Sequence, residues 1–242
     1  MTETSPAPAP GLLSRMIGVV FSPRLTFERL LPTPKVLGVL LISGLAIGLA
    51  QGLPRLTEKG RQAALDTQVQ QTERLTGQPV TDEQYAQMER FAPITAYSTM
   101  IFAPLGLSVG LLVLAGVYFV AFNVVLGGTA TFKQVMAVTA HAAVISALGT
   151  VVGAPVQYLQ GSASPMGPFT LGALLPMLDD SSFLARFLAF VGVFSIWGTI
   201  VTAIGFSVLY RRKTGNIAIG LFALTALFAA VAATVMGFFS AR

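Results

Sequence analysis

Apolar runs uninterrupted by charge divide this chain more clearly than any other feature. No charged residue lies between Lys35 and Arg55, Arg90 and Lys133, Lys133 and Asp179, Arg186 and Arg211, or Lys213 and Arg242. A bilayer core takes about 20 apolar residues in one helix. Five windows therefore predict five membrane spans, placed at about 36–53, 98–126, 134–158, 184–210 and 215–239. The segments are apolar all round, as surfaces facing lipid require, and they lack the alternation of a membrane barrel. The prediction is an all-α polytopic bundle, a single membrane domain over residues 11–240.

Two windows exceed one span. Residues 91–132 would make a helix of about 63 Å, and Pro93 and Pro104 mark where an extramembrane helix should end and the span begin or bend. Residues 159–178 hold Pro165, Pro168 and Pro176 with Gly161, Gly167 and Gly172. That density predicts an apolar loop at the interface or dipping back into the bundle, with a sixth span as the alternative.

The polar stretches predict the rest. Ser22-Pro23 reads as a helix start, and residues 12–31 carry apolar groups with Arg15, Arg24 and Arg29 among them. An amphipathic helix in the cytoplasmic headgroup layer, or a helix covering that end of the bundle, satisfies the pattern, and the two are compatible. Residues 54–93 form a hydrophilic insertion. Thr57 caps one helix ending near Gly77, Thr81 with Gln84 opens a second, and Leu65, Val69 and Leu75 make a sparse stripe. Forty residues are too few for an independent core, so an extracytoplasmic helical hairpin extending the first two spans is expected. Residues 1–10 are Pro/Ala-rich, lack the basic and apolar regions of a signal peptide, and read as a short disordered tail.

Composition excludes several classes. Of 242 residues, 54% are hydrophobic and 10% charged, against about 25% charged in a soluble domain. The chain has no cysteine and one histidine, which removes disulfide partners, thiolate chemistry and a histidine metal centre. No nucleophile-and-base cluster, phosphate loop or metalloprotease motif is present, so no catalytic residue, metal or cofactor is expected and the chain reads as non-enzymatic. The net charge of +5 resolves by topology. With five spans, the side holding the N-terminus carries eight basic and two acidic residues, the other side seven and eight. Arg211-Arg212-Lys213 fills a very short loop, where the positive-inside rule acts most strongly. The N-terminus is expected in the cytoplasm, the C-terminus outside, in a prokaryotic inner membrane. Nucleic-acid binding is not implied.

Candidate sites within the spans are few. Gly44, Gly48 and Gly52, Gly106 and Gly110, and Gly149 and Gly153 repeat the four-residue spacing that lets helices approach closely in lipid. Packing within the chain is the favoured reading and contact with a second copy or another membrane protein the sharper one. His141, Asn123 and Gln157 are intramembrane polar candidates. Asp179 and Asp180 suit the N-terminus of the fourth span.

Gly127-Gly128-Thr129-Ala130-Thr131-Phe132-Lys133-Gln134 is a tight turn ending in a capping box, in which Thr131 caps the third span and Gln134 reaches back. Phe132 and Lys133 fall at the headgroup boundary. This stretch resembles the Yip-one domain (YIP) family of membrane proteins. Phe21-Ser22-Pro23-Arg24-Leu25-Thr26-Phe27, and Phe194-Ser195-Ile196-Trp197 followed by Ile204-Gly205-Phe206, are similar to further family patterns in the same order. The resemblance implies five spans, a cytoplasmic N-terminus and a membrane-organising or partner-binding role. Eukaryotic members bind Rab-type GTPases, but the Asp-Leu-Tyr-Gly-Pro element associated with that role has no counterpart here. A small transporter, channel or lipid scramblase is the alternative.

Overall fold

The computed structural model describes residues 11–163, 167–175, 177–178 and 182–240. The expected tail over 1–10 and the roles expected of Asp179 and Asp180 lie outside these residues. All regular elements described are helical: α1 (Leu12–Phe21), α2 (Pro23–Leu30), α3 (Leu37–Gly52), α4 (Glu58–Thr76), α5 (Asp82–Phe119), α6 (Phe132–Gln160), α7 (Leu171–Leu174), α8 (Phe183–Ala189), α9 (Val193–Tyr210) and α10 (Thr214–Ser240). Five of them, α3, α5, α6, α9 and α10, are long and apolar enough to cross a membrane.

The starts and stops follow local chemistry. Thr57 Oγ1 accepts from the Gly60 amide at 3.1 Å. Thr81 with Gln84, and Thr131 with Gln134, each close a reciprocal capping box. Gly77 and Gly161 end α4 and α6 at φ of 68° and 64°, a left-handed geometry glycine adopts without strain.

Helix α6 is the axis of the bundle. Val135 through Ile145 are buried without interruption, so α6 is enclosed on every side over three turns, with α1, α3, α5 and α9 packed against it. Helices α3 and α5 pair antiparallel. A Cβ placed at Gly48 would lie 2.8 Å from Met100 O and 2.9 Å from Ala103 Cβ, and one at Gly44 would overlap the Pro104 backbone. Pro104 has no amide hydrogen for the Met100 carbonyl one turn earlier. The Gly48 backbone packs against that freed carbonyl, a place where Cα–H···O contact assists close packing in lipid.

Three local expectations change. Helix α5 runs unbroken through Pro93 and Pro104, because proline removes a single hydrogen bond and a long helix bends at such a site without ending. It closes as a π-helix over Val120–Val125. The fourth span does not begin at 184. The chain forms α8, breaks at 190–192 and restarts as α9, because Leu171 N donates to Val191 O at 2.7 Å and Val193 N donates to Phe169 O at 3.1 Å. That long-range pairing takes backbone groups a continuous helix would need. In the 159–178 stretch, the described residues after α6 hold only the single-turn α7, and Pro168 and Phe169 lie against Gly153 of α6, as the dipping-back alternative expects. Finally, α4 does not continue α3. A 3-10 turn at Pro54–Leu56 redirects the chain, and α4 packs on this turn, on α5 and on α10. Leu65 is buried there, whereas Leu75 remains 66% exposed.

Helix α1 lies against the end of the bundle where α6 begins. Its outward stripe, Leu13, Ile17 and Phe21, is exposed, Phe21 to 81%. Its inward face carries Val19 and, contrary to a place among lipid headgroups, Arg15, which is 7% exposed. Arg24 instead points outward, 3.2 Å from Glu28.

Candidate functional site

The sequence-selected residues fall into three groups. The first is a knot at the end of the bundle where α6 and α10 start. Asn123, in the π-helix, donates from Nδ2 to Ala130 O and accepts from the Tyr210 hydroxyl at 2.9 Å. Gly128 sits beneath this pair, with no room for a side chain. An added Cβ would lie 2.7 Å from Phe122 O and 2.8 Å from Asn123 Oδ1. Arg212 donates to Leu126 O at 3.1 Å. Phe122 stacks on Tyr210 at 5.3 Å, and Phe132 meets Phe119 edge-on at 5.8 Å. Gln134 Nε2 donates to Leu31 O at 3.4 Å, tying α6 to the end of α2. Below, Phe27 is fully buried under Gly205, whose Cβ would lie 3.0 Å from its ring. Pro23 is the first residue of α2, and Lys133 is exposed. These residues fasten helix ends together. Asn123 is one of them.

The second group is buried inside the bundle. His141 is fully buried. Its Nδ1 is 2.9 Å from Ala137 O, and a carbonyl only accepts, so Nδ1 carries the hydrogen and Nε2 presents a lone pair. Among the described residues, Nε2 has no hydrogen-bond partner, and neither do Arg15 Nε and Nη1 or Ser43 Oγ.

The third group surrounds a cavity of about 360 Å³ at the opposite end of the bundle. Its walls come from the end of α3 and the following turn (Gln51, Arg55), the last four turns of α6 (Ser146, Gly149, Gly153, Gln157, Tyr158), the returning loop (Pro168, Phe169) and the start of α9 (Phe194, Ser195). The glycines of α6 admit this returning layer. A Cβ at Gly149 would lie 2.6 Å from the Phe194 ring, and one at Gly153 3.0 Å from Pro168. Phe194 tilts against Phe169 at 5.5 Å and stacks toward Trp197 at 6.2 Å. Arg55 Nη1 donates to Thr99 Oγ1 at 3.1 Å, which anchors one corner of a five-donor guanidinium. Lys59 donates to Leu159 O at 3.1 Å and its Nζ lies 5.2 Å from the centroid of the Tyr158 ring. Among the described residues, no acidic side chain lines the cavity.

Gln157, Gly149, Gly153 and Phe194 were visible in sequence as candidates and meet here. Arg55 was counted only as a loop charge. Its signal was its position: it closes the first charge-free window, directly after Leu53-Pro54. Gly44, Gly48 and Gly52 face α5, whereas an added Cβ at Gly106 or Gly110 meets nothing within 4 Å. Among the described residues no group of three His, Cys, Asp or Glu side chains could hold a metal ion.

Comparison with known proteins gives one family, the Yip1 domain, whose profile matches residues 17–236. The membrane protein YknW of Bacillus subtilis (strain 168) is 29% identical over 202 residues, an alignment covering 84% of this chain and 79% of YknW. No solved structure matches the chain.

Proposed function

The chain belongs to the Yip1 domain family of integral membrane proteins, a generally non-catalytic family, and we propose that it works as a membrane-organising, partner-binding protein whose contact site is the cavity around Arg55, Gln157 and Phe194. The observation carrying this reading is that α6 is enclosed on every side directly below the cavity. Ser146 is its deepest α6 residue, and the eleven residues before it, Val135 to Ile145, are buried. A pocket closed below by close-packed side chains suits binding rather than passage, which favours a binding role over a channel or transporter. The charge asymmetry supports a cytoplasmic N-terminus, an extracytoplasmic cavity mouth and C-terminus, and residence in a prokaryotic inner membrane. The outward apolar stripe of α1, with Leu25 of α2, supports a second contact, with the acyl layer of the cytoplasmic leaflet.

The test is photocross-linking in native membranes from a photoreactive residue at Gln51, beside the mouth, with Leu75 on the exposed end of α4 as the control position. Ala154 of α6 also lines the cavity, and specific adducts from 51 that Ala154→Phe abolishes by filling it support the reading. Equal labelling from both positions, indifferent to Ala154→Phe, overturns it.

A further inference from the structure

We propose that the outer cavity binds the phosphate of an anionic phospholipid headgroup, with the Arg55 guanidinium as its anchor. The inference rests on the cavity being a binding site and adds the chemistry of its occupant.

Among the described residues, the cavity wall carries one formal charge, that of Arg55, and no carboxylate. Thr99 occupies one Nη1 donor and fixes the guanidinium plane. A planar fork held at one corner presents its remaining donors in the geometry that phosphate oxygens accept. Lys59, one turn further on, adds positive charge at the Tyr158 side. A cationic wall whose described residues include no acid, set between apolar helix ends, favours an anion over a cation or a neutral sugar.

Depth selects an amphipathic anion. From Gln160, at the outer end of α6, down to Ser146 the helix descends about 21 Å at 1.5 Å per residue. The cavity therefore starts at headgroup level and reaches well into the acyl layer. Arg55, Gln157 and Tyr158 lie nearer the outer helix ends, and Phe169 and Phe194 form an aromatic wall. A volume of about 360 Å³ is near the lower end of small-molecule sites, roughly 300–1,000 Å³. It holds a headgroup and the start of its glycerol ester, with the chains remaining in the leaflet. A free phosphate ion would leave the aromatic wall unused.

A second cationic group lies at the other end of the bundle, where Arg24, Arg211, Arg212 and Lys213 line a shallow groove together with Glu28. It serves as the internal control, since exposed basic residues attract anionic lipid without a built site.

The experiment is thermal unfolding of the full chain in dodecyl maltoside, followed by tryptophan fluorescence, with added phosphatidylglycerol, phosphatidylcholine, glycerol 3-phosphate or inorganic phosphate. Native mass spectrometry counts retained lipids in parallel. The expected result is a saturable upward shift and one retained lipid with phosphatidylglycerol, and neither with phosphatidylcholine. Arg55→Gln and Ala154→Phe weaken the apparent affinity at least tenfold, while Arg24→Gln leaves it unchanged. A second variant at the cavity guards against Arg55→Gln acting through folding, and unfolding without lipid reports that directly. Shifts of equal size with inorganic phosphate or glycerol 3-phosphate would overturn the lipid assignment in favour of a soluble phosphate. A phosphatidylglycerol shift that survives Arg55→Gln, or that Arg24→Gln abolishes, would overturn the site. If Ala154→Phe blocks photocross-linking from position 51 while Arg55→Gln does not, the cavity binds a partner of other chemistry and only this proposal fails.

Discussion

Replacing Gly48 by alanine and, separately, Gly106 by alanine tests the packing of α3 on α5 with two changes that are identical in sequence terms. Each adds one methyl group in a helix and removes the intrinsic penalty of glycine, about 1 kcal/mol in favour of the variant. At Gly106 nothing lies within 4 Å of the new atom, so that gain stands alone. At Gly48 the methyl carbon would lie 2.8 Å from Met100 O and 2.9 Å from Ala103 Cβ. The first neighbour is backbone and cannot rotate away, so α3 and α5 must move apart. Overpacking of this kind costs about 1–3 kcal/mol, and separation also loses the neighbouring Gly44–Pro104 and Gly52–Ala96 contacts. The expected net effect is about 1–2 kcal/mol of destabilisation at Gly48 against about 0.5–1 kcal/mol of stabilisation at Gly106. Equilibrium unfolding in mixed dodecyl maltoside and sodium dodecyl sulfate micelles measures both, with the single Trp197 against Phe194 as the reporter. A Gly48→Ala variant as stable as Gly106→Ala would refute the α3–α5 interface. Loss of a dimer band with Gly106→Leu alone would show that the open α5 face meets a second copy.

Further predictions concern other parts of the bundle. Arg15→Met should leave the unfolding midpoint unchanged or raise it by the equivalent of about 1–3 kcal/mol, because a buried guanidinium whose Nε and Nη1 make no hydrogen bond among the described residues costs more than an apolar side chain of similar volume; a clear drop would show that Arg15 has a bonding partner, with His141 Nε2 the first to examine. Tyr210→Phe removes the donor to Asn123 Oδ1 and should destabilise by about 0.5–1.5 kcal/mol, read in the same assay; an unchanged midpoint would remove the knot as a fastening. Thr131→Ala breaks the α6 capping box and should cost about 1 kcal/mol, with faster amide exchange confined to the first turn of α6; protection at wild-type level there would contradict it. Because the chain has no native cysteine, Lys213→Cys and Glu73→Cys report topology cleanly. An impermeant maleimide added to intact cells should label position 73 and spare 213, and the reverse would invert the orientation.

Much of this protein was legible in one dimension. The number of spans follows from windows without charge, because an ionised side chain cannot be left in hydrocarbon without a partner. The ends of α4, α5 and α6 follow from Thr57, Thr81, Thr131, Gly77 and Gly161, because capping is a contact between a residue and a backbone three or four positions away. What the chain could not declare is which face meets which. In water an apolar stripe marks the buried side of a helix, but in lipid both sides are apolar and the pattern loses that meaning. Gly44, Gly48 and Gly52 therefore look like Gly106 and Gly110, although only the first three have a helix against them. Arg15 reads as a headgroup contact until α1 is placed with its polar residue inward. The break at 190–192 depends on backbone partners some twenty residues earlier, and Arg55 becomes a candidate anchor only when α6, α9 and the returning loop close a cavity around it. Each of these was decided by tertiary contact, because each depends on distance across the bundle rather than spacing along the chain.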